Sequence, residues 1–219
     1  MKLSTRTFRN VRNVLGTLLF LAVLTACGAL IGPQPTTDPF GLDGTPVAVE
    51  FGGGLTALAV SGTAGGTFDF PDFEESLPLT PKTIENEIGL SSAVLNDPDG
   101  PATITISSAT LMVQMWHGAA DYDSAAAADR TQFSLSTEGS LVLDRADCTA
   151  STCNYDVSGV TLGSLNLSGG PLAGFINVAT NPPSPNQGQA TLVVEAQEDA
   201  LAGTTLTVIL DASKGTLRF

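Results

Sequence analysis

From Pro46 onward, short runs rich in Val, Ile, Leu and Thr are cut every few residues by Gly, Asn, Asp or Pro. The runs fall at 47–51, 67–70, 102–116, 131–136, 140–143, 154–157, 160–167, 172–180, 190–196, 204–211 and 216–219. β-Branched side chains fit a pleated surface, and this spacing of turn residues leaves no room for long helices, so the pattern specifies an all-β chain. Alternation is clearest at Thr103-Ile104-Thr105-Ile106 and at Leu206, Val208 and Leu210, which places the Ile and Leu side chains on one face. Glu138-Gly139, Ser168-Gly169-Gly170-Pro171 and Ser213-Lys214-Gly215 read as turns between runs. Connections this short favour antiparallel neighbours, because parallel ones need helical crossovers. The expected architecture is an antiparallel β-sandwich, jelly-roll or immunoglobulin-like, with one or two short helices at 81–90 and 119–130. Residues 71–81 read as an ordered loop.

The N-terminus follows another rule. Residues 1–13 carry Lys2, Arg6, Arg9 and Arg12 without an acid, and 14–26 are apolar. That stretch falls short of the roughly 20 residues a membrane-spanning helix needs and has the form of a signal-peptide core. It closes on Leu24-Thr25-Ala26-Cys27, which resembles the lipobox of bacterial lipoproteins. The resemblance implies cleavage before Cys27, diacylglycerol on its thiol, and residence in the cell envelope with the membrane as partner through the acylated Cys27. Gly28, where an Asp would retain some lipoproteins in the inner membrane, favours the outer membrane. Residues 27–45, with Pro33, Pro35 and Pro39, then read as a flexible spacer, and 46–219 as a single domain.

Four of the nine basic residues lie in the signal segment, leaving five bases against 22 acids beyond it. Nucleic acid is excluded as a partner on that balance. Besides Cys27 the chain has only Cys148 and Cys153, whose closeness in an exported chain specifies one short disulfide loop.

No sequence signature fixes a reaction. Gly-x-Ser-x-Gly, His-Glu-x-x-His and phosphate-cradling Gly motifs do not occur. The sole Trp and sole His adjoin at Trp116-His117, followed by Asp121, Tyr122 and Asp123, and form a candidate ligand platform for a glycan or an envelope protein. Asp97 and Asp99, in Asn96-Asp97-Pro98-Asp99-Gly100, resemble the start of a calcium loop but lack the spaced acidic ligands and terminal Glu of an EF-hand, so a turn without a cofactor is the expected reading and calcium at Asp97 and Asp99 the alternative. The terminal Phe219 is expected to close the core from the last strand. The expected role is binding or structural and non-enzymatic. An envelope hydrolase using an acidic pair, or a lipid-carrying assembly factor with a β cavity, are the alternatives.

Overall fold

A computed structural model describes residues 32–52, 60–68, 80–179, 187–197 and 199–219. Cys27 with its signal segment, and most of the loop expected at 71–81, lie outside the described residues. The chain is all-β and antiparallel, as expected, with strands β1 (Gln34–Thr36), β2 (Pro46–Phe51), β3 (Val60–Phe68), β4 (Thr83–Leu95), β5 (Thr103–Trp116), β6 (Arg130–Ser136), β7 (Leu141–Cys148), β8 (Cys153–Asp156), β9 (Thr161–Ser168), β10 (Gln187–Ala196) and β11 (Thr205–Arg218). Among the described residues one α-helix, α1 (Gly169–Ala179), lies between β9 and β10.

The sheet curls until it meets itself. Pairing runs β11-β2-β3-β10-β5-β7-β8-β4 and returns through the β4–β11 ladder, which extends from Leu206↔Leu95 to Arg218↔Thr83. Both faces of the sandwich thus belong to one strongly coiled sheet. Inside lie Ile84, Ile88 and Leu95 of β4, Ile104, Leu111 and Val113 of β5, and Leu206, Val208 and Leu210 of β11. Outward positions on the same strands are largely Thr, Ser, Gln and Glu. This is the polarity of a barrel that stands in water, since a membrane barrel carries its apolar band outside. Phe219 packs against the core from the chain end.

The wall has one seam. β6 and β7 both run antiparallel to β5 along the same edge, Trp116↔Arg130 through Thr110↔Ser136 and then Ile106↔Leu141 through Thr103↔Asp144. Glu138-Gly139 therefore lies in an in-line bulge instead of the expected hairpin turn, and Thr137 anchors it by exchanging hydrogen bonds with Ala109. β8 and β9 likewise follow one edge of β4, with 157–160 bulged between them. The two rails pair only near their shared turn, from Cys148↔Cys153 to Asp144↔Asp156. Past that point β6 and β9 part, and α1 packs against both.

Several local expectations are corrected. Of residues 81–90, expected as helix, 83–90 belong to β4, where Ile84, Asn86, Ile88 and Leu90 alternate inward. The four-alanine stretch within 119–130 forms turns: only Ala125 of that run is buried, so a helix there would have no apolar face to pack. The true helix occupies 169–179, where a turn and a strand were expected. Gly169 at φ 57° turns the chain, Pro171 sits in the first turn where its missing N–H costs nothing, and Leu172, Phe175, Val178 and Ala179 form a buried stripe. Ser213-Lys214 is not a turn but part of a bulge within continuous β11. Finally, the domain reaches beyond the expected boundary at 46. Gln34–Thr36 pairs with β11, and Phe40 and Leu42 are fully buried, so the expected spacer 27–45 is folded onto the domain from Gln34 onward.

Candidate functional site

The end of β5 gathers most of the expected site residues. Alternation breaks there, with Met115 and Trp116 both buried, and Gly118 at φ 70° turns the chain outward. Trp116 is only 4% exposed. Its indole Nε1 donates to the Ala119 carbonyl at 3.2 Å, and the Tyr122 ring stands edge-on to it with centroids 6.3 Å apart. Trp116 is thus the apolar centre of the 117–129 loop and not an open stacking face.

Arg130, the first residue of β6, clasps the loop from the other side. Its guanidinium lies 4.9 Å from the Tyr122 ring centroid, and Nη1 donates to the carbonyls of Tyr122 at 2.8 Å and Asp123 at 3.3 Å. The Asp123 carboxylate, almost wholly exposed, stands 3.8 Å from the same nitrogen. Asp121 accepts from the Ser124 amide at 2.8 Å, and its bonds to Ser124 hold its carboxyl below the usual range. His117 donates its amide to the Asp129 carbonyl at 3.1 Å and sets Nε2 3.3 Å from the Asp129 carboxylate. Asn177 of α1 donates to Ala128, tying the loop to the helix.

The structure therefore brings Trp116, His117, Asp121, Tyr122 and Asp123 into one loop. It divides them into a fastening pair, buried Trp116 and partly buried His117, and an outer group, Asp121, Tyr122 and Asp123. Arg130 and Asp129, which fasten the loop, escaped the sequence reading because a lone Arg or Asp at a strand start carries no pattern.

Asp97 and Asp99 lie elsewhere, between β4 and β5. The Asp97 carboxylate accepts the Asp99 amide at 2.9 Å, and its carbonyl accepts from Gly100, which is a side-chain-closed turn. Among the described residues, no group of three or more His, Cys, Asp or Glu side chains is placed to hold a metal ion. Cys148 and Cys153 form the expected disulfide, with their Cα atoms 4.1 Å apart, closing the turn at the paired end of the seam.

A cleft of about 540 Å³ opens where the seam splits, lined by Leu135, Glu138 and Leu141 on one side and Glu87, Thr161 and Gly163 on the other. The sequence did not disclose it, because its walls, 135–141, 161–164 and Glu87, are separate along the chain and adjacent only in the curled sheet.

No family model matches the chain, and no curated protein matches it in sequence. Among solved structures, an arabinose-bound α-L-arabinofuranosidase is similar over 86% of this chain at 12% identity and a TM-score of 0.25. A thermostable cellulase derived from that of Rhodothermus marinus is similar over 84% of this chain and 100% of its own, at 9% identity and a TM-score of 0.21. The chain spans 23% of the length of the arabinofuranosidase. At these scores the likenesses carry no argument about role.

Proposed function

We propose that this chain is a lipid-anchored cell-envelope protein whose β domain serves a binding or structural role, held to the membrane, the outer one by preference, through acylated Cys27. The observation that carries this reading is Leu24-Thr25-Ala26-Cys27 at the end of a basic-then-apolar segment, followed directly by a domain with a polar outside and a disulfide. The remaining tether is short. Six residues, 28–33, separate Cys27 from Gln34, where β1 begins, and the connection reaches about 25 Å at most. The domain works close to the lipid surface, and one acyl chain alone would hold it only marginally, so two or three on Cys27 supply the anchor.

The contact surface in this reading is the outer part of the 117–129 loop, where Tyr122 offers a half-buried ring beside the carboxylates of Asp121 and Asp123, for a glycan or an envelope protein. Replacing Cys27 with Ser tests the tether: the variant should leave the membrane fraction and appear in the soluble one. Retention of Cys27→Ser in the membrane fraction would contradict it.

A further inference from the structure

We infer that the cleft at the seam is a docking slot for a short, extended, basic polypeptide segment, which adds to the free edge of β9 as an extra strand. β9 pairs with β4 along one edge, from Thr83↔Ser168 to Gly89↔Thr161, and among the described residues its other edge has no strand partner. A strand edge presents alternating N–H and C=O groups, which an extended polypeptide satisfies and a globular surface or a sugar does not. The facing wall is the stretch after β6, at 137–140, and Thr161–Ser164 of β9 line the cleft opposite it, where the Gly163 amide is held by the Thr161 hydroxyl that an added strand would displace. α1 covers the far end of the seam, and the disulfide-linked turn holds the near end.

Side-chain chemistry selects the occupant further. The floor is apolar, with half-buried Leu135 and Leu141 beside buried Leu162, and Leu135 lies so close to Gly163 that a Cβ there would sit 2.9 Å from its Cδ1. The rim carries two carboxylates. Glu87 is held 3.3 Å from Lys214, whereas Glu138 is exposed and enters no ion pair among the described residues. A strand sends alternate side chains to opposite faces, so the fitting segment alternates apolar residues, which meet the leucines, with Lys or Arg, which meet Glu138 and Glu87. Polypeptide is therefore favoured over glycan here. This slot is separate from the 117–129 loop, and its occupancy does not depend on acylation of Cys27.

The test uses the full chain and a capped Lys-Val-Lys-Val-Lys peptide, with hydrogen exchange of the β9 amides as the readout. Bound peptide should slow exchange at 161–164 while leaving 117–129 unchanged. N-methylation of the two Val amides should abolish binding, and Glu138→Lys, at an exposed position, should weaken it about tenfold without lowering Tm. Unchanged exchange at 161–164 with the peptide at millimolar concentration would overturn the inference. Equal protection by Glu-Val-Glu-Val-Glu, by the N-methylated peptide or by a cello-oligosaccharide would overturn it as well.

Discussion

The side-chain amide of Asn86, fully buried on β4, donates to the main-chain carbonyl of Ala212 at 2.7 Å and, through the same nitrogen, to that of Lys214 at 2.9 Å. These carbonyls belong to the bulge in β11, where ladder pairing with β4 is interrupted between Asp211 and Lys214. A polar residue in an otherwise apolar inward row thus completes the hydrogen bonding at the irregular part of the strand that closes the sheet. Asn86→Ala should lower stability by about 1–2 kcal/mol in denaturant unfolding, because the buried Ala212 carbonyl and the part-buried Lys214 carbonyl lose their donor. An apolar isostere such as Leu should not recover it, since the carbonyls remain unsatisfied.

Three aromatic rings from three elements meet beneath the seam. Phe175 of α1 stands edge-on to Phe40, with centroids 5.1 Å apart, and to Phe133 of β6 at 6.5 Å. Phe175→Ala should cost about 3–5 kcal/mol, the usual loss for a buried aromatic. A Phe40/Phe175 double-mutant cycle should return a coupling of about 0.5–1.5 kcal/mol. Additive effects would mean that the helix and the N-terminal segment stabilise the seam separately.

The 117–129 loop is fastened by Arg130 and should loosen without it. Arg130→Ala is expected to cost about 1–2 kcal/mol and to raise hydrogen exchange across the loop while β4 and β11 stay protected. Arg130→Lys should restore little, because a point ammonium cannot lie flat on the Tyr122 ring and also reach two carbonyls. Trp116→Ala, by contrast, should destabilise the whole domain by about 3–5 kcal/mol.

Asp38 carries a specific pH dependence. Burial pushes its carboxyl up, against the lowering effect of main-chain donors that include the Leu42 amide at 2.6 Å. The folded state therefore holds this proton more tightly than the unfolded chain, and its contribution to stability falls as pH rises from the ordinary aspartate value of 3.8 through the raised folded value. Asp38→Asn keeps an acceptor for Leu42 and tolerates the φ of 45°. Its Tm should exceed that of the wild type near pH 7, and the difference should vanish near pH 3. Asp121, Asp156 and Asp211, held low by bonds to Ser124, Ser158 and Ser213, act in the opposite sense, losing stabilisation as pH falls below the usual carboxylate range.

Fold class was legible because alternation and turn residues are local properties. Thr103–Trp116 reads as a strand from its own residues, and the nearness of Cys148 and Cys153 was enough to pair them. The helix at 169–179 was concealed by its Gly-Gly-Pro opening, although Leu172, Phe175 and Val178 already had helical spacing. β4 was concealed by Asn86, whose polarity breaks the apolar alternation and makes sense only once the β11 bulge is beside it. Closure of the sheet, the seam and its cleft depend on which strands become neighbours, a property that no window of sequence contains. Of the candidate loop, the residue types were legible; that Trp116 faces inward was not, because Gly118 redirects the chain only after the strand has ended.

The central claim is the covalent tether at Cys27, and intact mass spectrometry of the N-terminal peptide from membrane-extracted protein tests it most directly. The account predicts a chain that begins at Cys27 and carries the added mass of a diacylglycerol thioether, with or without a further acyl group on the new amino terminus. A mature chain with a free, unmodified Cys27 thiol, or one that retains residues 1–26, would contradict it.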